Sequence, residues 1–478
     1  MATRDMIRIP EMAGRKVAVL GLARSGVAAA QALMASGADV WAWDDSSSAR
    51  DAAHAAGIPL RDLHACDWSR PEALVLSPGI PHSFPKPHPV AALAKDKNCP
   101  ILGDIELMAR ANLRARFIGI TGTNGKSTTT ALIGHVLRSA GRRAEVGGNL
   151  GTAALDLAPL GENAFYVLEV SSYQLELTHS LVFDAAVLLN IAPDHLDRHG
   201  GMKGYIAAKA RIFDRQDSSR TAVIGIDDPD CQDIFATLQA DGRQKVVPVS
   251  AMRPHQGGVY ADYGWLIDDI DRASTEVLEL ARATRLPGQH NWHNAAAAYA
   301  ACRAVGLDAD SIAAGLVGYP GLAHRQELIA AISDIRYVND SKATNADAAA
   351  KALACYSAIY WIVGGRAKET GLDGLEPFYP NIVHAFLIGE AADRFAVALE
   401  GQVACTKCGT LPNALAAAHR MAQGEQRPGA VVLLSPACAS FDQYRNFEER
   451  GDAFRDLVRA LESDDGASNS AASRRRVN

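Results

Sequence analysis

The stretch IGITGTNGKSTTTALIGHVL, residues 118–137, decides the fold that we expect for this chain. A short apolar run leads into a glycine-rich turn that ends at Lys126 and Ser127, and a helix-forming run follows. This order is typical of a phosphate-binding loop, where backbone N–H groups and the helix N-terminus face an anion. The standard pattern wants its first glycine at position 120, but Ile120 stands there and Gly122 comes two residues later. The sequence therefore predicts a phosphate loop of a shorter form.

The loop carries the groups that ATP needs. Lys126 can reach the β- and γ-phosphates, and the Ser127 hydroxyl can bind Mg²⁺. The plainer alternative is a glycine-rich turn with a surface lysine, which the combination of strand, glycines, Gly-Lys-Ser and helix disfavours. We therefore predict an ATP-binding segment that consists of Gly122, Thr123, Asn124, Gly125, Lys126, Ser127 and Thr128.

The composition of the chain limits its class. Of 478 residues, 48% are hydrophobic and 21% charged, which suits packed globular cores. At roughly 150 residues per domain, this length predicts about three domains. The net charge of -6 gives no indication of nucleic-acid binding. Residues 1–16 lack an apolar signal core, and no apolar run reaches the roughly 18 residues of a membrane span. We expect a cytoplasmic protein that binds neither nucleic acid nor membrane.

Eight cysteines are scattered along the chain, and only Cys405 and Cys408 form a close pair. A zinc site would need a second pair or histidines at ligand spacing, and neither follows. We expect reduced thiols rather than a zinc site.

Three successive units alternate buried strands with helices, which predicts an α/β fold with mostly parallel sheets. The first unit opens with a strand at 16–20, an alanine-rich helix and a strand that ends at Asp44. We expect later strands of the same sheet at 72–80 and 100–107.

The second and third units continue the alternation of strands and helices. The second starts at the phosphate loop, and its segment 244–279 alternates more, so small antiparallel strands are expected there. The third starts near Gly321, with strands spaced to leave room for helices. The polar tail 464–478 is predicted to be disordered.

The segment GLARSG, residues 21–26, lies between a predicted strand and helix as a dinucleotide fingerprint would. Ala23 replaces the central glycine, which hinders a close approach of the backbone to a pyrophosphate. Asp44 stands at the end of the second strand, where a ribose contact would lie. The segment therefore favours binding of a nucleotide other than a redox dinucleotide. The alternative is a plain strand–helix turn that binds no ligand.

Polar residues at strand ends are further candidates, because ligands of α/β sheets bind at the carboxyl ends of strands. Glu169 ends an apolar strand, and a buried carboxylate needs a partner such as Mg²⁺. The segment 190–200 ends another strand with Asp194, His195, Asp197 and His199. These four residues could bind a metal or the substrate, or they could be ordinary polar residues of a loop. The sequence favours neither alternative. Lys209, on an amphipathic helix, has the pattern of a solvent-exposed lysine.

These segments together resemble the Mur ligase family over residues 16–457. The motifs that carry the resemblance are SPGI, GDIEL, GTNGKST, GGNLG, LEVSSYQLE, DHLDRH, AAKARIF, GQHNWHNA, HRQE, NDSKATN and LLSPACASFDQYRNFEERG. The segments SSYQLE and SPACASFDQYRNFEERG resemble the member that adds D-glutamate. The family implies a Rossmann-like UDP-sugar domain at 1–108, a central P-loop ATPase domain at 109–320 and a Rossmann-like amino-acid-binding domain at 321–463.

The resemblance implies ATP-dependent amide formation in peptidoglycan precursor synthesis. The γ-phosphoryl group of ATP passes to the carboxylate of UDP-N-acetylmuramoyl-L-alanine, and the amine of D-glutamate attacks the acyl phosphate. We expect a monomer with Mg²⁺ as cofactor, whose domains close when ligands bind. The alternatives are a family member that adds another amino acid, a P-loop NTPase that drives motion, and an NAD-dependent oxidoreductase.

The resemblance also assigns roles residue by residue. Catalysis would fall to Lys126, Glu169, His195 and Lys209. Mg²⁺ would be bound by Ser127, Glu169, His195 and a carbamylated Lys209, which reverses the reading of Lys209 as a solvent lysine. Beyond the loop, ATP would contact Asn291, Asn294, His324, Arg325 and Asp340. The UDP-sugar would contact Arg24, Ser25, Asp44, Asp45, Ser77 and Asn149. D-glutamate would contact Lys342, Thr344, Lys368, Ser435 and Phe441.

Overall fold

A computed structural model describes residues 6–367 and 371–475, with side chains up to residue 463. The chain divides into two compact units. The first comprises Met1–Thr284 and Gln289–Tyr319, and the second comprises Arg285–Gly288 and Pro320–Asn478. Within the described residues, none of the helices has the length and apolar character needed to cross a lipid bilayer.

The first unit begins with a four-stranded parallel sheet in the order β2-β1-β3-β4. Its strands are β1 Lys16–Leu20, β2 Asp39–Trp43, β3 Ala73–Leu76 and β4 Ile101–Leu102. Its helices are α1 Arg24–Ala35, α2 Ser47–Ala55, α3 Pro89–Asp96 and α4 Asp104–Arg110. A Cβ on Gly26 would overlap the Gly21 carbonyl oxygen, so only glycine lets α1 pack this closely on the turn after β1.

The same unit contains a nine-stranded sheet in the order β13-β12-β11-β10-β9-β8-β5-β7-β6. Its strands are β5 Arg116–Thr121, β6 Ala144–Gly148, β7 Phe165–Glu169, β8 Ala185–Leu188, β9 Thr221–Gly225, β10 Lys245–Ser250, β11 Val259–Asp262, β12 Trp265–Asp268 and β13 Thr275–Glu279. The helices are α5 Lys126–Ser139, α6 Ser172–Glu176, α7 Leu196–His199, α8 Met202–Ala210, α9 Pro229–Asp241, α10 Gln289–Ala304 and α11 Ala309–Val317. The seven strands from β5 to β11 pair in parallel. Strands β12 and β13 extend the sheet beyond β11 with antiparallel pairing.

The second unit has a six-stranded sheet in the order β14-β15-β19-β16-β17-β18. Its strands are β14 Glu327–Ile332, β15 Ile335–Asn339, β16 Ile359–Gly364, β17 Ile382–Ile388, β18 Cys405–Gly409 and β19 Val431–Leu434. Its helices are α12 Ala346–Leu353, α13 Ala392–Ala398, α14 Leu411–Glu425 and α15 Phe447–Arg475. Among these described strands, β14 and β15 pair antiparallel and the others pair in parallel. Short 3-10 helices cover Pro10–Met12, Ala154–Asp156, Arg211–Phe213, Leu280–Arg282 and Glu376–Asn381.

The expected α/β class with mostly parallel sheets is confirmed, as are the antiparallel strands within 244–279. The single strand predicted at 100–107 is wrong beyond Leu102, because α4 begins at Asp104. Helix α15 continues to Arg475 and so covers most of the tail that was predicted to be disordered. The domain boundaries at 108 and 320 stay predictions, since the first unit holds two sheets.

Candidate active site

The phosphate loop joins β5 to α5 and is fastened to the neighbouring strand β8. Backbone N–H groups of Thr123 and Asn124 donate to the carbonyl and side-chain oxygens of Asn190 at 2.9 and 2.8 Å. Gly122 and Gly125 have φ angles of 148° and 82°, which side chains other than glycine adopt rarely. The shorter loop is therefore a distinct turn, and both glycines are required by its backbone.

Two lysine ammonium groups converge on one carbonyl oxygen of this loop. Lys126 Nζ donates to Gly122 O and Thr123 O, both at 2.8 Å, and Lys209 Nζ donates to Gly122 O at 2.7 Å. The reading of Lys209 as a solvent lysine is wrong, because its side chain on α8 is only 2% exposed. Burial, and then the charge of Lys126, hold the pKa of Lys209 well below its ordinary value.

Glu169 ends β7 next to the loop, and its position fits a magnesium ligand. One carboxylate oxygen, Oε1, accepts from Asn149 Nδ2 at 2.7 Å. The other, Oε2, is buried and has no hydrogen-bond partner among the described residues. Ser127 is buried at the start of α5, and hard cations such as Mg²⁺ prefer oxygen ligands of this kind. An orphaned carboxylate oxygen needs a positive partner, so these residues fit the ion.

No cluster of three or more His, Cys, Asp or Glu side chains capable of holding a metal occurs in the described part of the chain. Mg²⁺ sites in ATP-dependent enzymes commonly use one or two carboxylates together with substrate phosphates rather than a protein cage. His195, which precedes α7, has a φ of 51° and its Nε2 lies 3.4 Å from Asp194 Oδ2. Its role as a ligand stays a prediction.

Asn291 and Asn294 lie on α10, directly beneath the loop. Asn294 Nδ2 donates to Asn291 Oδ1 at 3.2 Å, and Asn294 Oδ1 accepts from Thr129 Oγ1 at 3.3 Å. A Cβ on Gly125 would overlap Asn294 Oδ1. The two amides therefore support the phosphate loop, and their contact with adenine stays a prediction.

The residues predicted to bind the UDP-sugar lie around the turn after β1. Arg24 Nη2 donates to Asn149 O at 3.4 Å, so α1 and the loop after β6 meet at this point. Asp44 Oδ2 accepts from Leu22 N at 2.6 Å and thus fastens the turn. Ser77 Oγ donates to Gly21 O at 2.9 Å.

Asp45 is held by two histidines at the end of β2. Its carboxylate oxygens lie 2.9 Å from His88 Nε2 and 3.3 Å from His64 Nε2. The hydrogen bond from His88 is the main cause of the lowered pKa of Asp45. The carboxylate of Asp45 is therefore held in place by two histidines, and both of its oxygens already have partners.

In the second unit, Asp340 follows β15 and is deeply buried. Its Oδ2 accepts from Ser435 Oγ at 2.8 Å and its Oδ1 accepts from Gln326 N at 3.2 Å. Burial raises the pKa of Asp340 to about 7. His324 is also buried, and its backbone N–H donates to Glu327 Oε2 at 2.9 Å. Asp340 and Ser435 are thus brought together, although one was predicted for ATP and the other for D-glutamate.

The remaining residues predicted for D-glutamate are less constrained. Lys342 Nζ lies 5.0 Å from the centre of the Phe447 ring, and Thr344 N–H donates to Lys342 O at 2.8 Å. The Phe441 side chain is 63% exposed. Lys368 lies outside the described residues.

Sequence reasoning missed Arg450, which organises this end of the sheet. The guanidinium is buried, and Nη2 donates to Ser341 O at 2.8 Å and to Cys438 O at 3.1 Å. Burial lowers the pKa of Arg450 to about 10. The residue therefore ties the segment after β15 to the segment after β19. The only sequence signal for Arg450 is its position within the motif NFEERG. Charged residues precede it in that motif, so the pattern does not predict that this arginine is buried.

Comparison with known proteins identifies the family of this chain. The family model of the Mur ligase middle domain matches residues 120–302. A relative from Paramagnetospirillum magneticum, the UDP-N-acetylmuramoylalanine–D-glutamate ligase, is 53% identical over 96% of this chain and 99% of its own length. Relatives of the same name from Caulobacter vibrioides and Rhizobium meliloti are 52% and 50% identical, each over 96% of this chain and 99% of their own length.

Solved structures with a similar fold are more distant in sequence. The UDP-N-acetylmuramate–alanine ligase MurC from Thermotoga maritima has a TM-score of 0.54 at 16% identity and covers 93% of this chain and 99% of its own. MurF from Acinetobacter baumannii has a TM-score of 0.53 at 20% identity over 76% of this chain and 82% of its own. At these identities the structures support the fold alone. The full-length relatives establish that the chain belongs to the Mur ligase family, among the UDP-N-acetylmuramoylalanine–D-glutamate ligases.

Proposed function

We propose that this chain joins D-glutamate to UDP-N-acetylmuramoyl-L-alanine at the expense of ATP, in peptidoglycan precursor synthesis. The observation that carries the proposal is the convergence of Lys126 and Lys209 on Gly122 O, next to the buried carboxylate of Glu169. The relatives named for this reaction match the chain over nearly its full length. That it acts as a cytoplasmic monomer stays a prediction.

The chemistry explains why a phosphate loop is needed. A carboxylate is a poor electrophile, because an attacking amine would have to expel oxide. Transfer of the γ-phosphoryl group gives an acyl phosphate, which the D-glutamate amine attacks to give a tetrahedral intermediate that expels phosphate. Lys126 and the backbone N–H groups of the loop would stabilise the negative charge of the transferring group.

Mg²⁺, when bound, would neutralise the phosphate oxygens and so let two anions meet. Ser127, Glu169 and His195 would hold it, and the orphaned Oε2 of Glu169 supports this assignment. Lys209 would complete the set as a carbamate. Only a neutral amine adds CO₂, and the lowered pKa of Lys209 favours the neutral form. The neutral amine forms an N–C bond to CO₂ and loses one proton, which gives a carbamate whose anionic oxygens can bind Mg²⁺.

In the second unit, we propose that Lys342, Thr344, Lys368, Ser435 and Phe441 surround D-glutamate. Asp340, with His324 and Arg325, would serve ATP. The Ser435 hydroxyl already donates to Asp340, so its role would be to accept a hydrogen bond or to hold Asp340 in place.

The test is ATP-dependent phosphate release from purified enzyme with Mg²⁺ and UDP-N-acetylmuramoyl-L-alanine. The amino-acid panel is D-glutamate, L-glutamate, L-alanine, meso-diaminopimelate and L-lysine. We expect release with D-glutamate alone, and none without the UDP-sugar. Release without any amino acid would favour a motor or switch NTPase, and a preference for another amino acid would favour a different member of the family.

A further inference from the structure

Glu176, the last residue of α6, joins two short helices and has no role in the reaction proposed above. Its Oε1 lies 2.8 Å from His199 Nδ1, and its Oε2 lies 3.3 Å from Arg198 Nη1. A carboxylate can only accept, so both nitrogen groups donate to it. The side chain therefore fixes the end of α6 against α7.

Both helices begin shortly after residues predicted for the active site. Helix α6 starts three residues after Glu169, and α7 starts directly after His195. A capping box between Ser171 and Gln174 fixes the first turn of α6, and the Ser172 hydroxyl contacts His199 Nε2 at 2.9 Å. The distance between the end of β7 and the turn at His195 is therefore set by this pair of helices.

The ring of Tyr173 is packed by the same group. Its centre lies 5.2 Å from that of His195 and 5.4 Å from that of His199, which stacks at 27°. The Arg198 guanidinium lies 5.0 Å from the ring centre. A displacement of Arg198 or His199 would therefore also displace the Tyr173 ring, which packs against His195.

Arg198 extends the connection to the loop after β3. Its Nη2 donates to Ile80 O at 3.4 Å and lies 3.4 Å from His82 Nδ1. That loop follows Ser77, a predicted UDP-sugar contact. The Arg198 Nε–H is buried without an acceptor in the described part of the chain, so this cluster is not arranged for stability alone.

We infer that Glu176 is a positioning residue, which holds the turn that carries His195 and the loop that follows Ser77 in one arrangement. The inference rests on the proposed function. Removing the carboxylate charge leaves Arg198 and His199 buried with a weaker acceptor, and Arg198 is then free to release Ile80. The consequence is a displaced UDP-sugar relative to the phosphate loop.

The experiment compares Glu176→Gln with Glu106→Gln. Glu106 is a more deeply buried carboxylate of the first unit, with its side chain 1% exposed against 17% for Glu176. It accepts from His179 N at 2.7 Å, Ser180 N at 2.8 Å and Arg110 Nε at 3.0 Å. Its partners have no proposed role in the reaction, so it is the matched control. The readouts are calorimetric affinity for UDP-N-acetylmuramoyl-L-alanine without ATP or Mg²⁺, kcat and KM for each substrate, and the midpoint of thermal unfolding.

We expect Glu176→Gln to weaken UDP-sugar binding and to lower kcat, each by about tenfold or more, because small displacements of reacting groups are costly. Glu106→Gln should lower the unfolding midpoint and leave affinity and kcat unchanged. If Glu176→Gln matches Glu106→Gln in affinity and kcat, the inference is overturned.

Arg198→Lys keeps the test decisive if Glu176→Gln does not fold. Lysine keeps the charge beside Glu176 but cannot also reach Ile80 O with a second group. We expect weaker UDP-sugar binding, and unchanged affinity and kcat would overturn the inference. A wild-type enzyme that neither binds the UDP-sugar nor consumes D-glutamate would overturn the proposed function and the inference with it.

Discussion

Lys209 is a buried lysine, and burial disfavours the charged form of its amine. Its side chain has lost nearly all contact with water, and its ammonium donates to Gly122 O, a carbonyl that also accepts from Lys126. The ring of Tyr205 lies 4.6 Å from Nζ and supplies a weak cation–π contact. Such an arrangement is poor for stability, so we attribute it to chemistry at this position.

We therefore expect Lys209→Met to lower D-glutamate-dependent phosphate release by about 100-fold or more, because the proposed carbamate ligand of Mg²⁺ is lost. The same substitution should raise the thermal unfolding midpoint of the ligand-free enzyme, measured with bicarbonate excluded, since a buried amine is replaced by an apolar chain of similar length. Lys203, exposed on the same helix, gives the control Lys203→Met, for which we expect neither effect. Retained activity in Lys209→Met would contradict the carbamate assignment.

Because the carboxyl of Asp340 is buried, we expect the folding stability of the protein to depend on pH. This carboxyl has a pKa raised by burial to about 7, so between the ordinary value of 3.8 and 7 the folded state binds more protons than the unfolded state. Stability therefore falls as pH rises through this window, and the loss is complete above it. We expect Asp340→Asn to be more stable than wild type at pH 8, with a smaller difference at pH 5, in urea unfolding. Asp347→Asn, at an exposed carboxylate of α12, should show no such change between the two pH values.

At the scale of the elements, the turn between β5 and α5 depends on its glycines. In Gly125→Ala, a Cβ would overlap Asn294 Oδ1 at a residue with φ of 82°, so the loop must move away from α10. We expect at least about tenfold weaker calorimetric binding of a non-hydrolysable ATP analogue, because the N–H groups no longer converge. Gly141→Ala, at φ of 73° with nothing within 4 Å, imposes similar backbone strain without the overlap. Gly141 lies beyond the far end of α5, so affinity in Gly125→Ala as high as in Gly141→Ala would contradict a requirement for glycine in the loop.

The sequence predicted this element because its signals are local: an apolar strand, glycines and Gly-Lys-Ser followed by a helix. The helix at Asp104 was missed, although Asp104 and Glu106 in its first turn favour a helix N-terminus. The burial of Lys209 had no local signal, since its partner Gly122 lies 87 residues away and periodicity describes only one helix. Family resemblance placed Lys209 in the site, and tertiary packing explains why it belongs there.

At the scale of the whole molecule, two compact units each hold their own buried sheets and helices. The first contains the hydrophobic core around β1, β7 and β8, and the second contains separate cores on the two faces of its six-stranded sheet. A unit that buries its own core can unfold on its own. Stability is therefore a property of each unit, and ligands act on the unit to which they bind.

Scanning calorimetry of the full chain should accordingly resolve two unfolding transitions. UDP-N-acetylmuramoyl-L-alanine at 100 times its dissociation constant adds about 2.7 kcal/mol to the state that binds it. We expect this to raise one transition by several degrees, that of the unit holding Arg24 and Asn149. Asp340→Asn at pH 8 should raise the other transition and leave the first in place, because Asp340 lies in the second unit. A single transition that both changes shift equally would contradict independent units, and would mean that the chain unfolds as one cooperative body.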